Sequence, residues 1–358
     1  MTENKSTGDS FSQRLLNWFD QNGRKNLPWQ NPREPYKVWL SEIMLQQTQV
    51  KTVIPYFNRF LEQYPSLEKL AKASLDEVLS LWSGLGYYSR GRNLHKTAKI
   101  IIEHYHGQFP ATENELVQLP GIGPSTAAAI AAQAFNQPAA ILDGNVKRVL
   151  SRYFQIEGWP QRADTHQKLL SIAKQCLPSK RFADYTQAIM DLGAMCCTPK
   201  KPACSHCPLQ SDCLAYQNNV VDNYPNKKPR KKRPIRYQQF LLLHNGERQI
   251  YLEKKPPAGL WGGLWCLPSI EAKDCPITFI LKNYNFTSHH QAHSLMELKH
   301  SFSHFDLKIS VKTIQINHSE FHINERPGSW FSQDQLRRIG LAKPISLILE
   351  HWYSSIVI

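Results

Sequence analysis

The stretch from Leu119 to Lys147 constrains the fold more than any other part of the chain. Its two ends read Leu119-Pro120-Gly121-Ile122-Gly123-Pro124-Ser125-Thr126-Ala127 and Leu142-Asp143-Gly144-Asn145-Val146-Lys147. Helical patterns flank the glycine turn on both sides, so we expect Gly121 and Gly123 to adopt the positive φ of a helix-to-helix turn. The turn amides and the start of the second helix would then face outward. Such amides can bind one anionic oxygen, for example that of a backbone phosphate, although a plain turn between helices is the alternative.

The composition favours a nucleic-acid partner. The chain has 358 residues, of which 41% are hydrophobic, enough for buried cores in two domains. Its formal charge of +14 favours a polyanionic partner, most simply nucleic acid. We see no long apolar run and no signal-peptide pattern at the first residues, so we expect a cytoplasmic protein, associated with the nucleoid through DNA, and no membrane partner.

The pattern of the chain changes once, after a basic segment. Helical periodicity separated by Pro and Gly runs through residue 217, whereas strand-like alternation begins at Arg236 and continues around an Asn245-Gly246 hairpin. Between them lies a stretch rich in Lys, Arg and Pro, which predicts a solvated linker. We therefore predict an all-α domain over residues 10–217, a basic linker over 218–234 and an α+β domain over 235–358.

Two carboxylates stand in contrasting surroundings. Glu42 lies on a predicted helix among Trp39, Ile43 and Met44, and an apolar environment raises the pKa of a carboxyl group as a general acid requires. Asp143 stands at a helix start, where amides would keep it ionised to face positive charge developing on a sugar. The alternatives are an exposed surface acid for Glu42 and an ordinary N-cap for Asp143.

Four cysteines follow the last predicted helix of the first domain. Cys197, Cys204, Cys207 and Cys213 are spaced C-x6-C-x2-C-x5-C, which indicates four thiolates on one metal centre. Zinc is the usual occupant of a four-cysteine site, and an iron-sulfur cluster is the other. Cys196 adjoins the first ligand and could compete with it.

These motifs together resemble known DNA glycosylases. The glycine turn with its trailing Asp143 resembles the helix-hairpin-helix of the endonuclease III superfamily, and the cysteine loop over 197–213 resembles its [4Fe-4S] loop. The run Trp39-Leu40-Ser41-Glu42-Ile43-Met44-Leu45-Gln46-Gln47-Thr48-Gln49 resembles the catalytic helix of MutY-type adenine DNA glycosylases. The resemblance implies an all-α glycosylase domain carrying a [4Fe-4S] cluster.

The resemblance also implies roles for individual residues. Glu42 would protonate a flipped adenine, Asp143 would stabilise the deoxyribosyl cation, and Asn145 would complete the catalytic set. Bifunctional relatives carry a Schiff-base lysine at the position of Ser125, so we expect base excision without strand cleavage. The implied DNA contacts are Gln47, Tyr87, Gly121, Gly123, Ser125, Thr126 and Lys147, with Gln47 and Tyr87 filling the gap left by the base.

The last third of the chain resembles the Nudix-like domain of the same family. The resemblance rests on Pro256 to Pro268, and the glutamate-rich metal-binding helix of Nudix hydrolases is absent from the sequence. Phe302, Ser303 and His304 match the loop that recognises 8-oxoguanine. The expected partner is therefore double-stranded DNA with an 8-oxoguanine:adenine or guanine:adenine mispair, bound by a monomer.

Two other functions remain open at this stage. One is a bifunctional glycosylase and lyase like endonuclease III, which Ser125 and the appended domain disfavour. The other is a non-catalytic DNA-binding protein that uses its cluster as a redox sensor.

Overall fold

In the computed structural model, the described residues are 3–228, 233–284, 291–316 and 328–356, with side chains described from residue 10 onward. They fall into two compact units. The first lies within Met1–Ala71 and Lys96–Arg230, and the second within Lys72–His95 and Lys231–Ile358. No described helix is both long and apolar enough to span a membrane. Part of the predicted linker, residues 229–232, lies outside the described residues.

The first unit is helical, as predicted. Its helices are α1 (Glu3–Asn22), α2 (Pro35–Leu45), α3 (Val50–Gln63), α4 (Leu67–Lys72), α6 (Ser89–Tyr105), α7 (Glu113–Leu116), α8 (Pro124–Phe135), α9 (Gly144–Tyr153), α10 (Ala163–Gln175), α11 (Phe182–Asp191) and α12 (Leu214–Gln217). Helices α4 and α6 continue into the second unit, and α5 (Leu75–Leu81) lies wholly in that unit. Helix α8 is the central one, because its run Ala127–Ala132 is buried and it packs against both α2 and α11. Small side chains there allow close helix packing.

The glycine turn joins α7 to α8, but its two glycines behave differently. Gly121 has a φ of 80°, as expected for this turn. Gly123 has a φ of −85° and a ψ of 171°, so the prediction of positive φ at this position is wrong. Gly123 is instead the extended N-cap residue of α8, a conformation open to any residue. A Cβ atom added there would meet no described atom within 4 Å, so the absent side chain leaves the surface bare.

The second unit is built on a mixed sheet of seven described strands. They are β1 (Ile235–His244), β2 (Ile250–Lys254), β3 (Trp265–Cys266), β4 (Ser269–Glu271), β5 (His293–Ser301), β6 (Asp306–Gln315) and β7 (Gly328–Phe331). The main order is β3-β2-β1-β6-β5, with β4 beside β1 and β7 beside β2. Strands β1 and β6 run parallel, with Ile235 opposite Asp306, whereas the other pairs are antiparallel.

Helices are present with this sheet, which agrees with the predicted α+β class. They are α13 (Pro276–Tyr284), α14 (Gln333–Leu336) and α15 (Lys343–Ser355). Ile280 and Tyr284 of α13 join a core with Leu241 and Leu243, residues of one face of β1. The sequence prediction missed α15. Its signal was Pro344 at the first turn, followed by apolar residues at helical spacing: Ile345, Ile348, Leu349 and Trp352, all buried.

The units differ from the predicted domain division in two places. Residues 72–95, which include α5, belong to the second unit although the sequence places them inside the helical half. Lys254 on β2 forms an ion pair with Asp76 at 2.8 Å, and Ser80 donates a hydrogen bond to the Arg337 carbonyl at 3.3 Å. Helical periodicity alone could not reveal that residues 72–95 pack with the sheet. It indicates which face of a helix is buried, but it does not indicate which element covers that face.

The start of the predicted linker packs on the first unit and is not a free tether. Arg152 donates from Nε to the carbonyl oxygens of Val221, at 3.2 Å, and Tyr224, at 2.9 Å. Tyr224 is buried, and the Asn226 side chain accepts a hydrogen bond from the Gly158 amide. Composition marks this segment as polar, but three-dimensional contacts fix it in place.

A buried ion pair ties the segment after α1 to the end of α11. Asp191 is fully buried and accepts hydrogen bonds from the Arg24 amide at 2.7 Å and from its guanidinium at 2.6 and 2.9 Å. The Gln187 side chain donates to the same carboxylate at 2.7 Å. Every one of these donors would lose its acceptor if Asp191 were removed.

We predict that Asp191→Ala lowers the free energy of unfolding by about 3 kcal/mol, because breaking a buried pair leaves a charged partner uncompensated. Asp20→Ala is the matched control. It removes a more exposed carboxylate that pairs with Arg181, and it should cost about 1 kcal/mol or less. Urea denaturation followed by circular dichroism measures both, and equal losses would contradict the prediction.

Candidate active site

One cavity of the first unit collects most of the residues predicted to form the site. It has a volume of about 670 Å³, within the range of small-molecule sites. Glu42 from α2 and Asp143 before α9 both line it. The other predicted residues on its wall are Gln47, Ser125, Thr126 and Asn145. The cavity wall, as described, does not include Gly121, Gly123 or Lys147.

Glu42 has the surroundings of a general acid. It lies on the buried helix α2 beside Ile43 and is itself partly exposed through the cavity. Gln133 of α8 donates a hydrogen bond to Glu42 Oε1 at 2.7 Å. Burial raises the pKa of Glu42 from its ordinary value of 4.5 to about 7; the Gln133 hydrogen bond opposes this rise, and the charge of Asp143 adds to it. A substantial fraction of Glu42 is therefore protonated at neutral pH.

Asp143 is held by the start of α9. Its Oδ1 accepts a hydrogen bond from the Val146 amide at 2.7 Å, and its Oδ2 accepts one from Asn145 Nδ2 at 3.1 Å. Burial raises the pKa of Asp143, an effect that the sequence argument from helix amides alone did not include. The hydrogen bonds from Val146 and Asn145 and the charge of Arg148 act in the opposite direction and favour the ionised carboxylate.

Asn145 is fixed in turn by Arg148 and Gly193. Arg148 donates from Nη2 to Asn145 Oδ1 at 2.9 Å and from Nε to the Cys197 carbonyl at 2.7 Å. A Cβ atom on Gly193 would lie 2.6 Å from Asn145 Cβ, so only glycine permits this approach. Sequence reasoning missed Arg148 and Gly193. The sequence did offer one signal for Arg148: it lies three residues after Asn145, so the two side chains share one face of the helix.

The cavity is also lined by residues that sequence reasoning missed. Arg24 and Gln187 line the cavity, and both bind the buried Asp191 carboxylate described above. Trp29 adds an almost fully buried indole ring. The sequence signal for the contact between Gln187 and Asp191 was their spacing of four residues, which places both side chains on one face of α11.

The glycine turn is connected to the cavity by side-chain hydrogen bonds. Gln46 Nε2 donates to the Gly121 carbonyl and to Thr126 Oγ1, both at 3.2 Å. Ser125 Oγ accepts a hydrogen bond from the Leu142 amide at 3.3 Å, beside Asp143 in sequence. Lys147 lies partly buried on α9. Ser125 therefore orders the backbone before Asp143 and offers no amine to the cavity.

The two residues predicted to enter DNA share an unusual backbone conformation. Gln47 has a φ of 58° and Tyr87 a φ of 49°, values that non-glycine residues adopt infrequently. Gln47 is exposed at the rim of the cavity in the first unit. Tyr87 belongs to the second unit, where its ring is 49% exposed. Such conformations cost energy and are concentrated at functional sites.

Phe302, Ser303 and His304 form the turn between β5 and β6. Phe302 is partly buried, with its ring stacked on Phe305 at 4.6 Å between centroids, whereas Ser303 and His304 are exposed. The turn is closed by a hydrogen bond from the Phe302 amide to the Phe305 carbonyl, and Arg233 donates to the Phe302 carbonyl at 3.2 Å. The turn therefore presents a hydroxyl and an imidazole on a fixed aromatic base.

The four predicted cysteine ligands line a second cavity of the first unit. Cys197, Cys204, Cys207 and Cys213 surround it together with Cys196 and apolar side chains. Arg152 Nη1 lies 3.3 Å from Cys197 Sγ, a position from which it stabilises a thiolate. Among the described residues, no three His, Cys, Asp or Glu side chains are arranged to hold a single ion. The four predicted cysteines border one cavity, and four thiolates are the donor set that a [4Fe-4S] cluster takes.

Three family models match parts of this chain. Residues 40–175 match the HhH-GPD superfamily of base excision DNA repair proteins. Residues 197–213 match the iron-sulfur binding domain of endonuclease III, and residues 239–351 match the NUDIX domain. The predicted fold class and iron-sulfur cluster are confirmed, and the cluster alternative is preferred over zinc.

Individual relatives extend this similarity over most of the chain. An adenine DNA glycosylase of Buchnera aphidicola from Schizaphis graminum is 41% identical over 342 residues, which cover 95% of this chain and 98% of the relative. The Homo sapiens adenine DNA glycosylase is 34% identical over 388 residues, covering 91% and 71%. Among solved structures, a thermostable thymine-DNA glycosylase has a TM-score of 0.54 at 28% identity, covering 60% of this chain and 98% of its own. Endonuclease III in a non-covalent DNA complex has a TM-score of 0.52 at 22% identity and the same coverage, which shows the shared fold.

We predict opposite shifts of the Glu42 pKa when its two neighbours are changed. Gln133→Leu removes a donor that stabilises the carboxylate, so the pKa should rise above about 7. Asp143→Asn removes a nearby negative charge and should lower it. Carboxyl carbon NMR titration, with the signal assigned by its loss in Glu42→Gln, measures both. Gln137→Leu, the same change at an exposed position near the end of α8, should leave the titration unchanged. If neither substitution changed the pKa of Glu42, the hydrogen bond from Gln133 and the proximity of Asp143 would both be contradicted.

Proposed function

This chain belongs to the adenine DNA glycosylases of base excision repair, and from that premise we propose that it removes adenine opposite 8-oxoguanine or guanine without cutting the strand. The observation that supports the reaction best is that Glu42 and Asp143 line one cavity while the Glu42 pKa is raised to about 7. A protonated acid and a second carboxylate beside one cavity are the groups that breaking a glycosidic bond requires.

Glu42 acts on the leaving base. Adenine must leave the duplex to reach the cavity, at a cost of a few kcal/mol for unstacking. Glu42 then donates its proton to a ring nitrogen, so that the base departs as a neutral species. General acid catalysis of this kind contributes roughly 10²–10⁴-fold to a rate. The hydrogen bond from Gln133 holds Oε1 of Glu42, so that the other carboxyl oxygen can carry the proton.

Asp143 acts on the sugar. As the glycosidic bond breaks, positive charge develops on the deoxyribose, and the Asp143 carboxylate stabilises it electrostatically. Asn145 and the Val146 amide hold both carboxylate oxygens in place, so little reorganisation accompanies the reaction. Water then adds to C1′ of the deoxyribosyl cation and releases one proton, which balances the proton that Glu42 gave to the base.

The absence of an amine at Ser125 supports a monofunctional enzyme. A lyase step needs a nucleophilic amine that forms a Schiff base with the sugar. Ser125 instead accepts a hydrogen bond from the Leu142 amide, and Lys147 is not among the residues that line the cavity.

The remaining residues contact the DNA backbone and the stack. The bare turn at Gly121 and Gly123 and the start of α8 at Ser125 and Thr126 bind a phosphate through their amides. Lys147 adds a positive charge nearby, whereas Gln47 and Tyr87 fill the space left by the base. We propose that the enzyme acts as a monomer on chromosomal DNA.

Four cysteines in one loop of this chain would hold the [4Fe-4S] cluster. The residues that would hold it are Cys197, Cys204, Cys207 and Cys213, and when bound it supplies a rigid, covalently fixed core to the loop. Arg148 joins that loop to the active site, because it binds both the Cys197 carbonyl and Asn145. Hydrolysis itself transfers no electron.

We expect Glu42→Gln to reduce adenine release by at least about 10²-fold in a single-turnover assay with an 8-oxoguanine:adenine duplex, because the amide cannot donate the required proton. Duplex binding should persist. Glu62→Gln, the same change at an exposed residue of α3, should leave release unchanged. Borohydride treatment of the wild-type reaction should trap no covalent enzyme-DNA product, and efficient trapping would instead indicate a lyase. Undiminished release by Glu42→Gln would refute the assigned role.

Ser303 is the residue assigned to recognition of the base opposite adenine. Ser303 offers a hydroxyl that can both donate and accept a hydrogen bond at an exposed turn, which suits recognition of an added oxo group. We expect Ser303→Ala to reduce the preference for 8-oxoguanine over guanine by about fivefold, the effect of one hydrogen bond. Ser354→Ala, at an exposed position of α15, is the control. The measurement is the ratio of single-turnover rates on the two duplexes, and an unchanged ratio would exclude Ser303 from recognition.

A further inference from the structure

The segment that carries Tyr87 is held by the backbone of the second unit. It runs from the end of α5 to the start of α6, and Gly84, Gly86 and Tyr87 all have positive φ, at 90°, 77° and 49°. Three such residues within four positions cannot form a regular helix or strand. External contacts must therefore maintain the path of this loop, which we call the Tyr87 loop (residues 84–87).

Two hydroxyl groups that flank the Tyr87 loop converge on one carbonyl. Ser83 Oγ donates to the Leu341 carbonyl at 3.1 Å, and Tyr88 OH donates to the same oxygen at 2.9 Å. Tyr88 OH also accepts a hydrogen bond from the Gly84 amide at 3.3 Å. The Tyr88 hydroxyl thus joins one end of the loop to the other and both ends to Leu341.

The Leu341 carbonyl is a fixed point of the second unit. Leu341 is buried and forms a parallel bridge with Trp265 of β3, and the Trp265 amide donates to the Gly340 carbonyl at 3.0 Å. A Cβ atom at Gly340 would lie 2.8 Å from Leu79 Cβ, so glycine there permits the close approach of α5. The acceptor is therefore tied to the central sheet on one side and packed against α5 on the other.

A second set of contacts supports the inner side of the loop. The buried Arg90 donates to the Leu85 and Gly86 carbonyls at 3.3 and 3.1 Å, and Trp82 Nε1 donates to the Gly86 carbonyl at 3.1 Å. The Arg90 guanidinium lies 5.5 Å from the Tyr87 ring centroid. Only the Tyr87 ring is left to project, half exposed, from an otherwise restrained loop.

We propose that Ser83 and Tyr88 are positioning residues that hold Tyr87 ready to enter DNA by anchoring its loop to the Leu341 carbonyl. The inference rests on the DNA contact assigned to Tyr87 under the proposed function. Pre-organisation of this kind removes the entropic cost of ordering the loop when the base is displaced. It also gives the C-terminal part of the chain a role in base extrusion in addition to recognition of the opposite base.

The test removes the anchoring hydroxyl and keeps the ring. Tyr88→Phe should lower single-turnover excision of adenine opposite 8-oxoguanine by about fivefold, the expected effect of one neutral hydrogen bond. A 2-aminopurine placed next to the mispair should show a smaller fluorescence increase on binding, because the stack is opened less. Tyr353→Phe is the matched control, since its hydroxyl donates to the Arg248 carbonyl within the same unit, and it should change neither readout.

A double variant separates positioning from general stability. If Tyr88 acts through Tyr87, Tyr88→Phe should have no further effect on excision or fluorescence in a Tyr87→Ala background. Effects that multiply in the double variant, or a Tyr88→Phe enzyme that behaves like wild type, would overturn the inference. If circular dichroism shows that Tyr88→Phe does not fold, Ser83→Ala removes the other donor and is subject to the same criteria.

The same experiment distinguishes the two possible failures. Should Tyr87→Ala excise adenine and open the stack normally, the DNA contact assigned to Tyr87 would be refuted, and the anchoring role would be refuted with it. Should Tyr87→Ala be impaired while Tyr88→Phe and Ser83→Ala are both normal, only the anchoring role would be refuted.

Discussion

The hydrogen-bonded start of helix α9 is the constraint on which the active site depends. The same Asp143 carboxylate caps the helix, through the Val146 amide, and faces the cavity. Because the cap fixes the carboxylate, it also fixes Asn145, which bonds to it, and Arg148, which bonds to Asn145. Under the proposed function, the residue that caps this helix also stabilises charge on the sugar, so no separate element is required to position it.

The two acids of the cavity differ because their protein surroundings supply different numbers of donors. Glu42 receives one hydrogen bond, from Gln133, and burial dominates its pKa. Asp143 receives several donors at a helix start, which oppose the effect of burial. Each carboxylate also raises the cost of ionising the other, so the arrangement favours one protonated and one ionised group. This division of protonation states is what excision of a base requires.

The second unit combines segments that are far apart in the chain. Residues 72–95 pack with the C-terminal sheet, where Gly340 permits the close approach of Leu79 and Leu341 receives the hydroxyl groups of Ser83 and Tyr88. The Tyr87 loop and the turn that carries Ser303 consequently belong to one compact unit. These two segments share a unit because of spatial packing, and their positions along the chain do not show that they belong together.

Helical period, strand alternation and motif spacing are local properties, and they were sufficient to predict the class of each unit. The cysteine ligands and the two acids were predicted from motif spacing and from the resemblance to a known family, and they stay predictions. The sequence also placed Asp143 at a helix start, because the few residues around an N-cap are sufficient to specify it. Tertiary packing was needed to show that Gln133 binds Glu42 and that Arg24 binds Asp191. It alone assigned residues 72–95 to the second unit. These features depend on contacts between distant residues, and neither composition nor periodicity contains information about which buried faces meet.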